Sequence, residues 1–286
     1  MEVANMQQIY NVTNGGDSGA GTLREAIELA NSNPGEDTIF VGVDVELDSS
    51  ISITDSVDIG NNYGAKITQT GSDRIFTIDD RNDLENIQVS LYRLTLSGGD
   101  SDSIGGAILS AEDLTITDSE LSNNSAQNKG GAIFQINGLV NIARSKIDNN
   151  QAGDESSSQK SIGGAVYIAN STYDISGSVF DDNQADTADA IFSSNSSGSV
   201  SNTALNNDSI VTRGFPAFQS ALSHEEDNFL DNGRGDEFEQ FNDSIPLGSN
   251  SSALMLFLES ATDIITGDGE ESRKDLLLDL VENSSF

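Results

Sequence analysis

Residues 105–129 read GGAILSAEDLTITDSELSNNSAQNK, and at residue 130 the same line starts again as GGAIFQINGLVNIARSKIDNN, ending at Asn150. A third copy opens at Gly163-Gly-Ala-Val166 and a degenerate fourth at Asp189-Ala-Ile191. Behind each opening lies a second block: Leu114–Asn124, Val140–Asn150, Tyr173–Asn183 and, more weakly, Gly198–Asp208. Repetition at such a short period is the mark of a solenoid, in which each repeat forms one coil and buries its apolar face against its neighbours. The one longer step carries a polar insertion, Gly153 to Lys160.

Superposing the blocks assigns a role to each position. Leu114 and Ile116 alternate with Thr115 and Thr117, the period of a strand with one buried face. Ile116, Ile142, Ile175 and Val200 fall in one column, and Leu121, Ile147, Phe180 and Leu205 in another; both columns are expected inside. Ser119, Ser145, Ser178 and Thr203 make a hydroxyl column. Asn123, Asn149, Asp182 and Asn207 make an amide column, expected to hydrogen-bond along the axis. The Gly-Gly pairs mark a bend with no room for a Cβ.

Working outward, Thr38–Val41, Ile51–Ile53, Lys66–Thr68, Arg74–Ile78 and Ile87–Leu96 read as earlier coils. Residues Thr22–Asn31 differ: apolar residues at 23, 26, 27, 29 and 30 have helical spacing, with Thr22 as N-cap and Glu25 completing a capping box. Such a helix would cover the open first coil, with Leu23, Ile27 and Ala30 facing inward. Beyond Ile210 the composition turns acidic, and Ala217–Leu230, Ser252–Ile265 and Glu270–Val281 read as short helices. The expected organisation is an N-terminal strand and capping helix over 1–37, parallel coils over 38–210, and an acidic, partly helical extension over 211–286.

Charge narrows the function. The net charge is −34, from 47 acidic and 13 basic residues. This excludes nucleic acid as a partner, since phosphates need Lys and Arg to neutralise them, and disfavours anionic membranes. Cysteine is absent, so neither disulfides nor thiolate metal sites hold the fold. No run of about 18 apolar residues predicts a transmembrane helix. Residues Met1–Asn14 have neither the basic nor the apolar region of a secretory signal, which leaves three readings open: a signal already removed, export by a signal-peptide-independent route, or a protein that stays inside. A calcium-dependent type I route fits the acidity, the missing cysteines and the terminal Leu276–Leu280 with Ser284-Ser-Phe286.

Asp17–Asn31, followed by Gly35-Glu-Asp-Thr-Ile39, resembles the N-terminal segment of many bacterial secreted β-helix proteins. The downstream repeats resemble those of polymorphic outer membrane proteins, which carry a Gly-Gly-Ala-Ile and a Phe-x-x-Asn signature. The second is matched by Leu121–Asn124, Ile147–Asn150 and Phe180–Asn183, with Phe only in the last. The resemblance covers about residues 10–210 and implies an all-β, right-handed parallel β-helix. It further implies a secreted or cell-surface protein that meets polysaccharide or surface glycan. Within such families the members range from adhesins and surface-layer components to polysaccharide-active proteins.

The residues offer two chemical readings. Polygalacturonase-type β-helices combine clustered aspartates with Gly-His-Gly and Arg-x-Lys; here Arg144-Ser-Lys146 and Asp181-Asp182 occur, but the single histidine, His224, lies outside the coils. A lyase or epimerase on uronic acids needs a cation or arginine to neutralise the carboxylate and a base near C5. The best cluster for it is Asp118 and Glu120 on one coil with Arg144 and Lys146 on the next, which equally reads as an ion-pair ladder of Asp118 with Arg144 and Glu120 with Lys146. The acidic loops Asp79, Asp80, Asp83 and Asp100, Asp102 are the metal candidates, with calcium the cation their oxygens suit, although no cofactor is required. Arg234-Gly-Asp236 matches an integrin-type tripeptide, a match short enough to occur by chance. The reading preferred is a non-catalytic adhesive or matrix-binding module, with the calcium-assisted lyase or epimerase as its alternative.

Overall fold

A computed structural model describes residues 7–82, 85–153, 160–206 and 208–213. The chain divides into two units, Met1–Phe241 and Asn242–Phe286, and every described residue belongs to the first. The insertion at 154–159, Asn207 and the expected helices after residue 213 lie outside the described residues.

The repeats fold as stacked coils with all pairings parallel. In one coil the chain passes through strands Asp113–Thr117, Glu120–Ser122, Ser125–Ala126 and Ile133–Ile136. The next coil repeats this as Leu139–Ala143, Lys146–Asp148, Gln151–Ala152 and Val166–Ala169. Among the described residues, stacking builds a long sheet of 13 strands, a second sheet of seven and a strip of three. The last strand among the described residues, Ile210–Arg213, carries the second sheet across the boundary expected at residue 210.

Both expected interior columns are present. Ile116, Ile142, Ile175 and Val200 pair in one register, and Leu121, Ile147, Phe180 and Leu205 in the other. Leu91 and Leu96 of strand Gln88–Ser97 extend them to the preceding coil. The first three members of each column are fully buried, whereas Val200 and Leu205 are half-buried near the last coil.

Corners are turned by single residues with left-handed backbone. Arg93, Asp118, Arg144, Gly177 and Asn202 occupy one corner with φ between 47° and 57°. Gly130 has φ 64°, and its neighbour Gly131 needs glycine for a different reason: a Cβ there would lie 2.1 Å from the Gly164 carbonyl oxygen of the next coil. In the degenerate copy Ala188 takes φ 58°, a strained conformation for a residue with a Cβ.

The hydroxyl column is in place. The Ser119, Ser145 and Ser178 amides donate to the hydroxyl oxygens of Ser145, Ser178 and Thr203 on the following coils, at 3.2, 3.1 and 3.4 Å. The amide column is one residue off the expected one. Asn123, Asn149 and Asp182 are exposed and left-handed at φ 57°, 53° and 53°. That turn swings the following side chain inward, so the buried ladder is Asn124, Asn150, Asn183 and Asp208. Asn124 Nδ2 donates to Asn150 Oδ1 at 3.0 Å, and Asn150 Nδ2 to Asn183 Oδ1 at 3.0 Å. Backbone amides of Asn124 and Asn150 bond the same two oxygens at 3.1 Å. A shift of one residue exchanges the two faces of a strand, and here the corner supplies that shift.

At the N-terminal end, helix Leu23–Asn31 is capped by Thr22, whose hydroxyl accepts the Glu25 N–H at 3.3 Å. The Glu25 carboxylate accepts the N–H of Gly21, not of Thr22 as a strict capping box would have it. Leu23, Ala26, Ile27 and Ala30 are buried against strands Ile9–Val12, Asp37–Val41 and Ile51–Ile53. Arg24 ties the helix down, reaching Asp17 Oδ1 at 2.6 Å and the Ser49 and Ser50 carbonyls.

Candidate functional site

The left-handed corner that carries Arg93, Asp118 and Arg144 opens onto a groove of about 630 Å³. On successive coils these three residues form an alternating row of positive, negative and positive charge. A second row runs alongside: Lys66, Thr95, Glu120 and Lys146, in direct register. At one end, strand Val57–Gln69 bulges between Gly60 and Ala65 and pushes Asn61–Gly64 outward. The bulge is braced by the Asn61 side chain, whose Oδ1 accepts the Tyr63 N–H at 2.6 Å. It leaves the Tyr63 ring 98% exposed on the groove wall.

All four catalytic candidates line this groove, and the expected pairing holds in half. Arg144 grips Asp118 with two bonds, Nε to Oδ1 at 2.8 Å and a terminal nitrogen to Oδ2 at 3.0 Å. Lys146 faces Glu120 by register, yet its ammonium turns along its own strand to Asp148 Oδ2 at 2.8 Å. The expected Glu120–Lys146 ion pair is therefore replaced, because a carboxylate two residues along the same strand is reached without bridging coils. Asp148 Oδ1 is buried with no partner, so the lysine holds a carboxylate that the fold itself satisfies on one side only.

These contacts decide what chemistry is available. The Arg144 guanidinium bonded to Asp118 holds that carboxyl below its usual range, so it is a weak base. The same contact raises Arg144, and the bond to Asp148 raises Lys146, so both stay charged at neutral pH. A general acid or base works best with a pKa near the working pH, and none of these three groups is tuned that way. The groove instead offers fixed charge, hydrogen-bond donors and an exposed ring.

Four of the chain's 13 basic residues gather here, whereas Arg81 and Lys160 are exposed elsewhere. Elsewhere Arg24 pairs with Asp17, and Arg74 is buried on Ser101 and the Ile104 carbonyl. Lys129 and Arg213 lie over aromatic rings. Lys66, Arg93, Arg144 and Lys146 are exposed together on one face.

The metal candidates separate. Asp79 and Asp80 converge with Glu112, one carboxylate oxygen of each lying within 4.8 Å of the other two. Asp83 lies outside the described residues, Asp100 accepts the Ser125 hydroxyl at 2.5 Å, and Asp102 is exposed in a turn. Glu112 was missed from the sequence because it sits between strands and reads as surface. The signal was available, since Glu112 interrupts the column that continues as Asn137, Asn170 and Asn195. It is almost wholly buried and accepts the Asp80 and Ile87 amides at 3.2 and 3.3 Å. Burial, with the Asp80 charge adding to it, pushes its carboxyl up to about 7. His224 and Arg234-Gly-Asp236 lie outside the described residues.

Residues 118–135 match the Chlamydia polymorphic membrane protein repeat, a stretch that runs from the groove at Asp118 through the Asn123-Asn124 corner to the Gly130-Gly131 bend. No curated protein and no solved structure matches the chain. No helix among the described residues is long and apolar enough to cross a membrane.

Proposed function

We propose that this chain is a right-handed parallel β-helix module of a bacterial surface or secreted protein, and that it binds glycan in the groove without transforming it. The repeat match supports the surface assignment, since that repeat belongs to a bacterial surface-protein family. The observation that carries the binding reading is the pairing of Tyr63, 98% exposed, with Arg93, Arg144 and Lys146 in one open groove. An exposed tyrosine offers an apolar face for a sugar ring and a polar tip for its hydroxyls, and the cations donate hydrogen bonds around it. The strongly acidic remainder of the molecule repels free polyanions at long range, which favours glycans that are neutral or sparsely charged.

The test is binding of the full chain to a panel of bacterial and host glycans. A retained glycan whose signal falls at least tenfold in Tyr63→Ala and in Arg93→Ala supports the reading. Retention that neither substitution alters would place binding elsewhere. Turnover of alginate, pectate or chondroitin in millimolar calcium, lost in Arg144→Ala, would replace it with the lyase.

A further inference from the structure

The charged groups lining the groove differ in what they already hold. Arg144 is bonded through two nitrogens to Asp118, and Lys146 to Asp148. Arg93 is bonded to no carboxylate among the described residues. One of its terminal nitrogens donates to the Asn62 carbonyl at 3.2 Å, and Asn62 is the residue before Tyr63. That bond draws the guanidinium to the bulge that carries the exposed ring and leaves its other N–H groups for a ligand. The carboxylates divide in the same way. Asp118 is closed by Arg144, whereas Glu120 accepts no hydrogen bond and makes no ion pair among the described residues. Lys146 stands beside Glu120 in register and acts on it through space, but its ammonium is bonded to Asp148. Thr95 lies between the two uncommitted groups: it follows Arg93 by two positions and pairs with Glu120 on the next coil. Coils are about 4.8 Å apart, so these groups and the Tyr63 ring fall within the span of about one or two sugar units.

We infer that the groove recognises a sugar bearing a single carboxylate and a pair of adjacent hydroxyls, with Arg93 taking the carboxylate, Glu120 the hydroxyls and Tyr63 the ring. This rests on the reading of the groove as a glycan site and names the class of sugar. A planar guanidinium matches a carboxylate with parallel N–H···O bonds, which are strengthened by charge on both sides. A carboxylate only accepts, so Glu120 selects donors, and neighbouring hydroxyls supply them. A polymer with an acid on every unit fits poorly. Beyond Arg93 its further carboxylates would meet Asp118 and Glu120, and Arg144 is already neutralised. Sialyl and glucuronyl ends share the required chemistry.

The full chain is titrated calorimetrically with sialyllactose, with glucuronyl-lactose, and with the carboxyl-reduced form of each, in which the acid becomes an alcohol. One acid form should bind about tenfold or more tighter than its reduced partner, and the form that does so names the source. This ratio is read on the unaltered chain, so it stands whether or not a variant folds. Arg93→Gln should bring acid and reduced forms level, and Glu120→Gln should weaken both by a similar factor. A preference for the acid that survives in Arg93→Gln overturns the inference. Acid and reduced forms that bind alike, both lost in Tyr63→Ala, overturn it and leave the glycan reading in place. Retention of neither acid, while another glycan is held through Tyr63, does the same. Binding that Tyr63→Ala leaves unchanged overturns both.

Discussion

Phe180→Ala tests the stacked core at the largest fully buried side chain among the repeats. Phe180 is fully buried and stands in register between Ile147 and Leu205. Removing the ring takes away roughly 150 Å² of buried apolar surface, worth about 4 kcal/mol at about 25 cal/mol per Å². That is an upper estimate for the transfer alone, because an unfolded chain already shields some of this surface. The cavity left behind adds to the cost, while the half-buried Leu205 can move to fill part of it. The expected loss is about 3–4 kcal/mol. Leu205→Ala, with less surface to lose, should cost about 1–2 kcal/mol. Urea unfolding followed by circular dichroism measures both. Hydrogen exchange should show protection lost first in the coils flanking Phe180, since a solenoid is held by nearest-neighbour contacts. A Phe180→Ala loss below about 1 kcal/mol, or equal losses for the two variants, would refute the column.

The remaining expectations are these. Asn150→Ala should cost about 2–4 kcal/mol in urea unfolding, since it takes the acceptor from the buried Asn124 backbone N–H and from one hydrogen of its side-chain amide, whose other bond to the Leu96 carbonyl remains, and removes a donor to the Leu121 carbonyl, whereas Asn149→Gly should change stability by less than about 0.5 kcal/mol. Reversed costs would restore the column first expected from the sequence. Burial raises both Glu112 and Asp208 to about 7, so between about pH 5 and 7 the native state holds protons that the unfolded chain has released, and stability should fall as pH rises, levelling above pH about 8. Asp208→Asn, which continues the amide ladder without a charge, should flatten that dependence and stabilise by about 1–2 kcal/mol at pH about 8; a melting temperature that rises with pH through this window contradicts the assignment. Arg144→Ala removes an ion pair whose arginine side chain is 62% exposed and should leave the midpoint of the same unfolding assay unchanged within its error, since solvent screens such a pair.

Much of the fold was legible because the repeat aligns like with like. The core columns, the hydroxyl ladder and the capping helix follow from positions that recur, and recurrence reveals the inside of a solenoid. The amide ladder was misplaced by one residue because two polar residues follow one another, as in Asn123-Asn124, and the left-handed corner deciding which points inward is a backbone property. The groove was half legible. Register brought Asp118, Glu120, Arg144 and Lys146 together, but Tyr63 and Arg93 lie in coils whose repeat is too worn to align, and the bulge that exposes Tyr63 interrupts its strand. Which carboxylate Lys146 chooses was not legible, since Glu120 and Asp148 are equally available to a flexible side chain. An outward apolar column on the second sheet was hidden for a related reason: Leu109, Phe134, Tyr167 and Phe192 alternate with core residues in strands apolar on both faces.

The central claim is that the groove holds a glycan and leaves it intact, and one paired measurement tests it. The full chain is titrated calorimetrically with the glycan it retains, and the same sample is then assayed for new reducing ends and for unsaturated product. Saturable binding that weakens at least tenfold in Tyr63→Ala, with the glycan recovered unchanged, is the predicted result. Product that accumulates with time and disappears in Arg144→Ala or Lys146→Ala would contradict it.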